Sequence, residues 1–131
     1  MSRDQRYLSR ERQSHNVDMM NYGDVPLNQL YPGRIVYAHV AFRDDGNIVK
    51  TRPVVVIERR GRGILGCPMY TKSSQTRIET ERYGRRTHVD LRSVEIDRYN
   101  LVNIDPVDID DETWDYIADH VIFPEEQDVA S

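Results

Sequence analysis

Arg52 is the residue of this 131-residue chain whose setting most suggests chemistry. It stands directly before Pro53 and the apolar run Val54-Val55-Val56-Ile57, and a proline restrains the residue ahead of it to extended backbone. A guanidinium fixed at the start of a rigid strand can offer two parallel donors to the nonbridging oxygens of a phosphate, where charge builds in a displacement at phosphorus. Arginine is a poor general base, with a pKa above ~12, so proton transfer would need a perturbed group, a water or a neighbour. The plainer alternative is an arginine that caps a loop or pairs with Asp44 or Asp45. A second candidate follows the run that ends in Met69-Tyr70. There Thr71-Lys72-Ser73-Ser74 sets hydroxyls beside the backbone donors of a turn, an arrangement suited to a phosphate oxygen. Thr71 fits best, with Ser73 as substitute if the register shifts by two; otherwise the segment is simply a polar turn.

His39 and His88 are the candidate acid/base groups, because imidazole alone normally titrates near neutral pH. A two-histidine mechanism would need both at one phosphate, which their sequence context does not require, and each has the alternative of a structural, hydrogen-bonded residue. His15 and His120 fall in an N-terminal extension and a helix. Cys67 is the one cysteine, so no internal disulfide forms; it is either a reactive thiol or, as its strand setting favours, a small buried hydrophobe. No His/Cys cluster has zinc spacing, and the C-terminal acids are too regularly solvated to name a magnesium site. No metal and no cofactor are expected.

The net charge of −4 argues at first against a polyanionic partner, but the charges are segregated. Residues 31–93 carry thirteen Lys and Arg against six acids, whereas residues 94–131 carry one Arg against twelve acids. A basic middle ahead of an acidic end suggests a polyanion site on one face, the alternative being two solvated surfaces. Within the basic part, Lys50, Lys72, Ser73, Arg77, Arg82, Arg85 and Arg86 are placed to meet an RNA backbone, with Tyr37 on the solvent or functional side and Tyr83 able to stack on a base. Glu58 to Gly63, although rich in Gly and Arg, lacks the spacing of a nucleotide-binding loop.

These groups must be positioned by a β-sheet. Residues 35–42, 52–57 and 64–70 are runs rich in β-branched and aromatic residues bounded by Gly, Pro, Asp or Asn, the signature of consecutive antiparallel strands. Alternation in the first puts Val36, Ala38, Val40 and Phe42 toward the core, opposite Tyr37 and His39. The second has no alternation and reads as a central strand buried on both faces. Residues 43–51 read as a loop with its tip at Asp44-Asp45-Gly46-Asn47, and residues 75–86 as a long hairpin loop before a strand at residues 87–91. Two short strands then precede a helix that opens at Asp110-Asp111-Glu112. Its apolar stripe is Trp114, Ile117, Ala118 and Val121, and Pro124 stops it. Residues 1–31 form an extension, with a short helix conceivable at residues 4–12 and a linker at residues 21–32; residues 32–123 form the domain and residues 124–131 an acidic tail. The polar start and the lack of a ~20-residue apolar run predict a soluble, cytoplasmic protein with no membrane contact.

Pro32-Gly33-x-Ile35-Val36, then Arg52-Pro53-Val54-Val55-Val56-Ile57, then Pro68-x-x-Thr71-x-Ser73 and Thr87-His88-Val89-Asp90-Leu91 resemble, in order and spacing, the MazF/PemK toxins. The likeness spans roughly residues 32–121. It implies a mainly β fold, a small SH3-like antiparallel β-barrel with a C-terminal α-helix, assembled as a homodimer. It also implies the toxin of a type II toxin-antitoxin system: a sequence-specific, metal-independent endoribonuclease that cleaves single-stranded RNA by 2′-hydroxyl attack. Arg52 then takes the main catalytic role and Thr71 the second, with a cognate antitoxin occupying the groove. Arg34, where many relatives have Asp, and the long N-terminal extension point to the alternative, a noncatalytic PemK-like module that binds RNA or protein. A third reading is a structural barrel whose partner docks on the acidic end.

Overall fold

The computed structural model describes residues 25–41 and 49–129. The expectations for residues 1–24, for Phe42 and the loop tip at residues 43–48, and for the last two residues lie outside it. Seven strands form among the described residues: β1 (Ile35–Ala41), β2 (Val49–Arg60), β3 (Gly63–Tyr70), β4 (Arg77–Arg82), β5 (Arg85–Asp90), β6 (Val94–Ile96) and β7 (Leu101–Ile104). Helices α1 (Asp111–His120) and α2 (Pro124–Val129) follow. The strands pair antiparallel in the order β4-β5-β3-β2-β1-β7, with β6 lying beside β3, so the chain is mainly β.

Alternation divides the core in two. Val36, Ala38 and Val40 of β1 and Val54 and Val56 of β2 face one cluster, closed by Ile64, Ile96, Leu101 and Ile104. Ile35, Val55, Cys67 and Met69 face the other, closed by Val89, Leu91, Ile109 and Ile117. Residues 54–56 are fully buried, as expected of a strand covered on both faces. The first cluster also takes in Val25 and Leu30, which flank a 3-10 turn at Leu27–Gln29. The core therefore begins ahead of Pro32, inside the stretch expected to be a linker.

Three further expectations change. Lys50 and Thr51 belong to β2, paired with Val40 and His39, rather than to a loop. Residues 77–90 are not a loop and a strand but a tight hairpin, β4 and β5 joined by Tyr83-Gly84. Both turn residues take positive φ, 51° and 74°, as a two-residue type I′ connection requires. Pro124 begins a second short helix instead of only ending the first; a proline at the first helical position loses no intrahelical bond. Helix α1 starts as expected, with Asp110 accepting from the Thr113 amide. Ile117 is its fully buried anchor, whereas Ala118, at the margin of the stripe, is exposed.

Two glycines of β3 are there for close approach. A β-carbon on Gly63 would run into the Ile96 carbonyl, which is backbone of β6 and cannot yield as a side chain would. Gly61, in the turn ahead of it, has φ 57° and open space around it. Gly63→Ala is expected to cost roughly 3 kcal/mol through forced backbone displacement, against about 1 kcal/mol for Gly61→Ala from its left-handed backbone. Urea denaturation of both variants checks the order; equal losses would contradict it.

Candidate functional site

Tyr70, the last residue of β3, is where the candidate residues meet. Its register partner on β5 is His88, and strand alternation sets it on the same face as Arg52 of β2. The Arg52 guanidinium lies 4.9 Å from the Tyr70 ring centroid and that of Arg77 lies 3.7 Å from it. Two cations over one ring draw on its negative face, and the aromatic plane fixes both side chains. Thr71, Lys72 and Ser73 follow immediately as an exposed bend. Arg77 Nη1 donates to the Lys72 carbonyl at 3.0 Å, which ties this bend to β4. Arg52, Thr71 and His88 are thus gathered at one end of the sheet.

The centre of charge beneath them is Asp90, only 2% exposed. Its carboxylate accepts from Arg77 Nε at 3.1 Å, from Arg92 Nε and Nη2 at 3.2 and 3.0 Å, and from Thr76 Oγ1 at 3.0 Å. Burial by itself would raise its pKa, but the donors from Arg92, Arg77 and Thr76 outweigh that and hold it below the ordinary carboxyl value. Burial and the nearby Asp90 charge push the Tyr70 hydroxyl up, against the opposing pull of Arg77, Arg52 and Arg92. His88 is half-buried, and its Nδ1 has no hydrogen-bond partner among the described residues. Lys50 and Arg86 flank this surface by alternation, both exposed, with Arg86 paired to Glu79 at 2.8 Å.

The remaining candidates lie elsewhere. His39 faces the opposite side of the sheet, with its Nδ1 3.0 Å from Thr51 Oγ1, so the two histidines do not converge. Arg85 is exposed beside the hairpin turn. Tyr37 and Arg82 join a second buried carboxylate, Asp105, which follows β7 directly and was not among the candidates. Tyr37 Oη donates to Asp105 Oδ2 at 2.7 Å, Tyr83 Oη to Oδ1 at 2.6 Å, and the Val107 amide to Oδ1 at 2.8 Å, while Arg82 closes the ion pair. Burial opposes ionisation here too, and the donors from Tyr83, Tyr37 and Val107 together with the Arg82 charge win, holding Asp105 below its usual range. The one signal in sequence was Asp105-Pro106 itself, since an Asp there is a common turn former. Cys67 is fully buried, and burial followed by the Asp90 charge pushes its thiol up to about 12, which suppresses the reactive thiolate.

Among the described residues no three His, Cys, Asp or Glu side chains gather to hold a metal ion, and no helix is long and apolar enough to cross a membrane. Neither protein-family models nor curated proteins match this chain.

Both buried carboxylates make stability depend on pH with a defined sign. Their folded-state pKa values lie below the ordinary value of about 3.9. The unfolded chain therefore binds protons first, and the stabilisation, complete above about pH 5, is lost as pH falls through the folded-state values. Asp105→Asn is expected to cost about 3–5 kcal/mol at pH 7 by stranding Arg82. Urea titrations of variant and parent should converge toward acid pH; a constant gap would exclude the carboxylate charge as its origin.

Proposed function

We propose that the end of the sheet around Tyr70 binds the phosphates of single-stranded RNA and that the protein cleaves that RNA without a metal, as the toxin component of a type II toxin-antitoxin system. The observation that carries this reading is the sharing of the Tyr70 ring by Arg52 and Arg77, with Thr71 next in the chain. Arg52 is fixed by Pro53 behind it and the ring beneath it, so its donors need little reorganisation to meet charge developing on phosphate oxygens. Thr71 and Ser73 then supply a hydroxyl, and Lys50, Lys72 and Arg86 supply the sequence-independent attraction of the backbone. His88, beside Tyr70, is the histidine placed to exchange a proton with the 2′-hydroxyl or the leaving oxygen.

The finer fold in this reading is the SH3-like barrel of the MazF/PemK type. In its support, β6 and β7 flank β3 and β1 and are linked by the 3-10 turn Arg98–Asn100 across the first core cluster. A homodimer and an antitoxin that occupies the same face belong to the proposal. One observation favours the noncatalytic alternative: the side chains of Arg77 and Arg82 are 8% and 16% exposed and committed to Asp90 and Asp105, which removes two cations from the RNA-binding set.

Incubation with a long mixed-sequence single-stranded RNA in EDTA separates the readings. Discrete fragments are expected from the parent protein, with rates lowered roughly 10²–10³-fold in Arg52→Ala. RNA that stays intact yet is retained by the folded parent, with Arg52→Ala binding more weakly, would replace the nuclease with the binding module.

A further inference from the structure

The connection from β3 to β4 leaves the sheet. The ladder of β3 with β5 ends at Tyr70 and His88, and β4 begins at Arg77, so residues 71–76 cross between the strands outside any ladder. Two backbone bonds close the far part of the crossing, from the Arg77 N–H to the Ser74 carbonyl at 3.1 Å and from the Leu91 N–H to the Thr76 carbonyl at 2.8 Å. Among the described residues, one hydrogen bond outside the strand ladders reaches residues 71–73, that from Arg77 Nη1 to the Lys72 carbonyl at 3.0 Å. The bend that carries Thr71 therefore hangs on one side chain.

That side chain is committed on three sides. Nε donates to Asp90 at 3.1 Å, Nη1 donates to Lys72, and the guanidinium carbon lies 3.7 Å from the Tyr70 ring centroid. At 8% exposure it offers a phosphate almost no surface. Asp90 is itself anchored by Arg92 Nη2 and Thr76 Oγ1, each at 3.0 Å, so the group from which Arg77 is suspended is fixed as well. Only a planar fork fits this task. A lysine could still neutralise Asp90, but a single ammonium on a flexible stem cannot donate to Asp90, reach the Lys72 carbonyl and lie flat on the ring at once.

Arg52 and Thr71 stand on different elements, β2 and the bend, yet in an RNA nuclease both must meet one phosphate. A misplacement of about 1 Å in such a pair costs on the order of 100-fold in rate. We propose that Arg77 is a positioning residue: by gripping the Tyr70 ring that also carries Arg52, and the Lys72 carbonyl beside Thr71, it sets the distance between the Arg52 guanidinium and the Thr71 hydroxyl, and it makes no phosphate contact of its own. The inference rests on the nuclease reading of this site and gives Arg77 a part in it other than the RNA-backbone contact that its charge suggests in sequence.

Cleavage of single-stranded RNA in EDTA by Arg77→Lys and Lys72→Gln, beside the parent, tests it. Arg77→Lys is expected to lower the rate at saturating RNA by roughly 30–100-fold with KM changed less than about threefold. Its binding to uncleavable 2′-O-methyl RNA should keep the parent's salt dependence. Lys72→Gln should do the reverse, weakening binding and reducing the salt slope by about 0.7, the share of one phosphate contact on a single strand. Where Arg77→Lys fails to fold, the parent decides: added 2′-O-methyl RNA should shift the Arg52 Nε–H resonance and leave that of Arg77 in place. A parent that leaves RNA intact overturns both the nuclease reading and this inference. A parent that cleaves while Arg77→Lys keeps its rate, or loses it through KM with a smaller salt slope, overturns the positioning role alone, as does an Arg77 resonance that moves as far as that of Arg52.

Discussion

The third strand has to serve two partners on one side, and the rest of the molecule follows from where it changes between them. Along one edge β3 pairs with β2 over most of its length; along the other, residues 64–66 pair with β6 and residues 69–70 with β5. Cys67 and Pro68 occupy the gap. A proline has no N–H to give, so the strand loses a donor at the point where it lacks a constant neighbour on that side. The first half of β3 is thereby committed to the cluster that β6 and β7 close, and the second half to the cluster beneath β5 and α1. Glycines at residues 63 and 66 permit the close approach of β6 and β2, and residues 63–69 are all buried. What emerges from this buried strand is Tyr70 with its polar turn, delivered beside Arg52.

Buried charge then fixes the parts that backbone pairing leaves loose. Burying a carboxylate is costly unless it is paired and hydrogen-bonded, and both Asp90 and Asp105 are satisfied several times over. Asp90 joins the start of β4 to the exit of β5 through Arg77 and Arg92. Asp105, just after β7, holds the hairpin tip through Arg82 and Tyr83. The edge strands β4 and β7 share no ladder hydrogen bonds, so this side-chain clasp is what brings one end of the sheet against the other. Charged pairs serve here because they are directional, whereas apolar contacts across the same distance would tolerate sliding.

Much of this was legible in the residues themselves. Alternation in β1 named its core face, the unbroken valines of β2 named a doubly covered strand, and the Asp110 cap named the start of α1. What sequence reasoning missed has a common physical origin. Residues 77–82 look like loop because an edge strand carries charges to discourage pairing with other chains, and only Ile78 and Thr80 advertise an inner face. Tyr83-Gly84 does not look like a hairpin turn because the tyrosine is tolerated there only through its bond to Asp105, a residue distant in sequence. The candidate arginines carried the same blindness: composition shows that Arg77 and Arg82 are cations but not that each is neutralised by a buried acid, since that follows from register.

That division bears on how the two faces can differ. On the Tyr70 face, Asp90 neutralises part of the charge of Arg77 and Arg92, while Arg52, Lys50 and Lys72 add cationic character near the bend. On the opposite face Arg82 is consumed by Asp105, whose remaining acceptor capacity is met by Tyr37, Tyr83 and the Val107 amide. Each face thus carries one buried carboxylate with an arginine committed to it, Asp90 on one and Asp105 on the other. A central strand buried on both sides lets them coexist, since it separates the two fields by a layer of low polarisability. The two buried carboxylates can then be satisfied independently, each by its own arginine, without competing for the same donors.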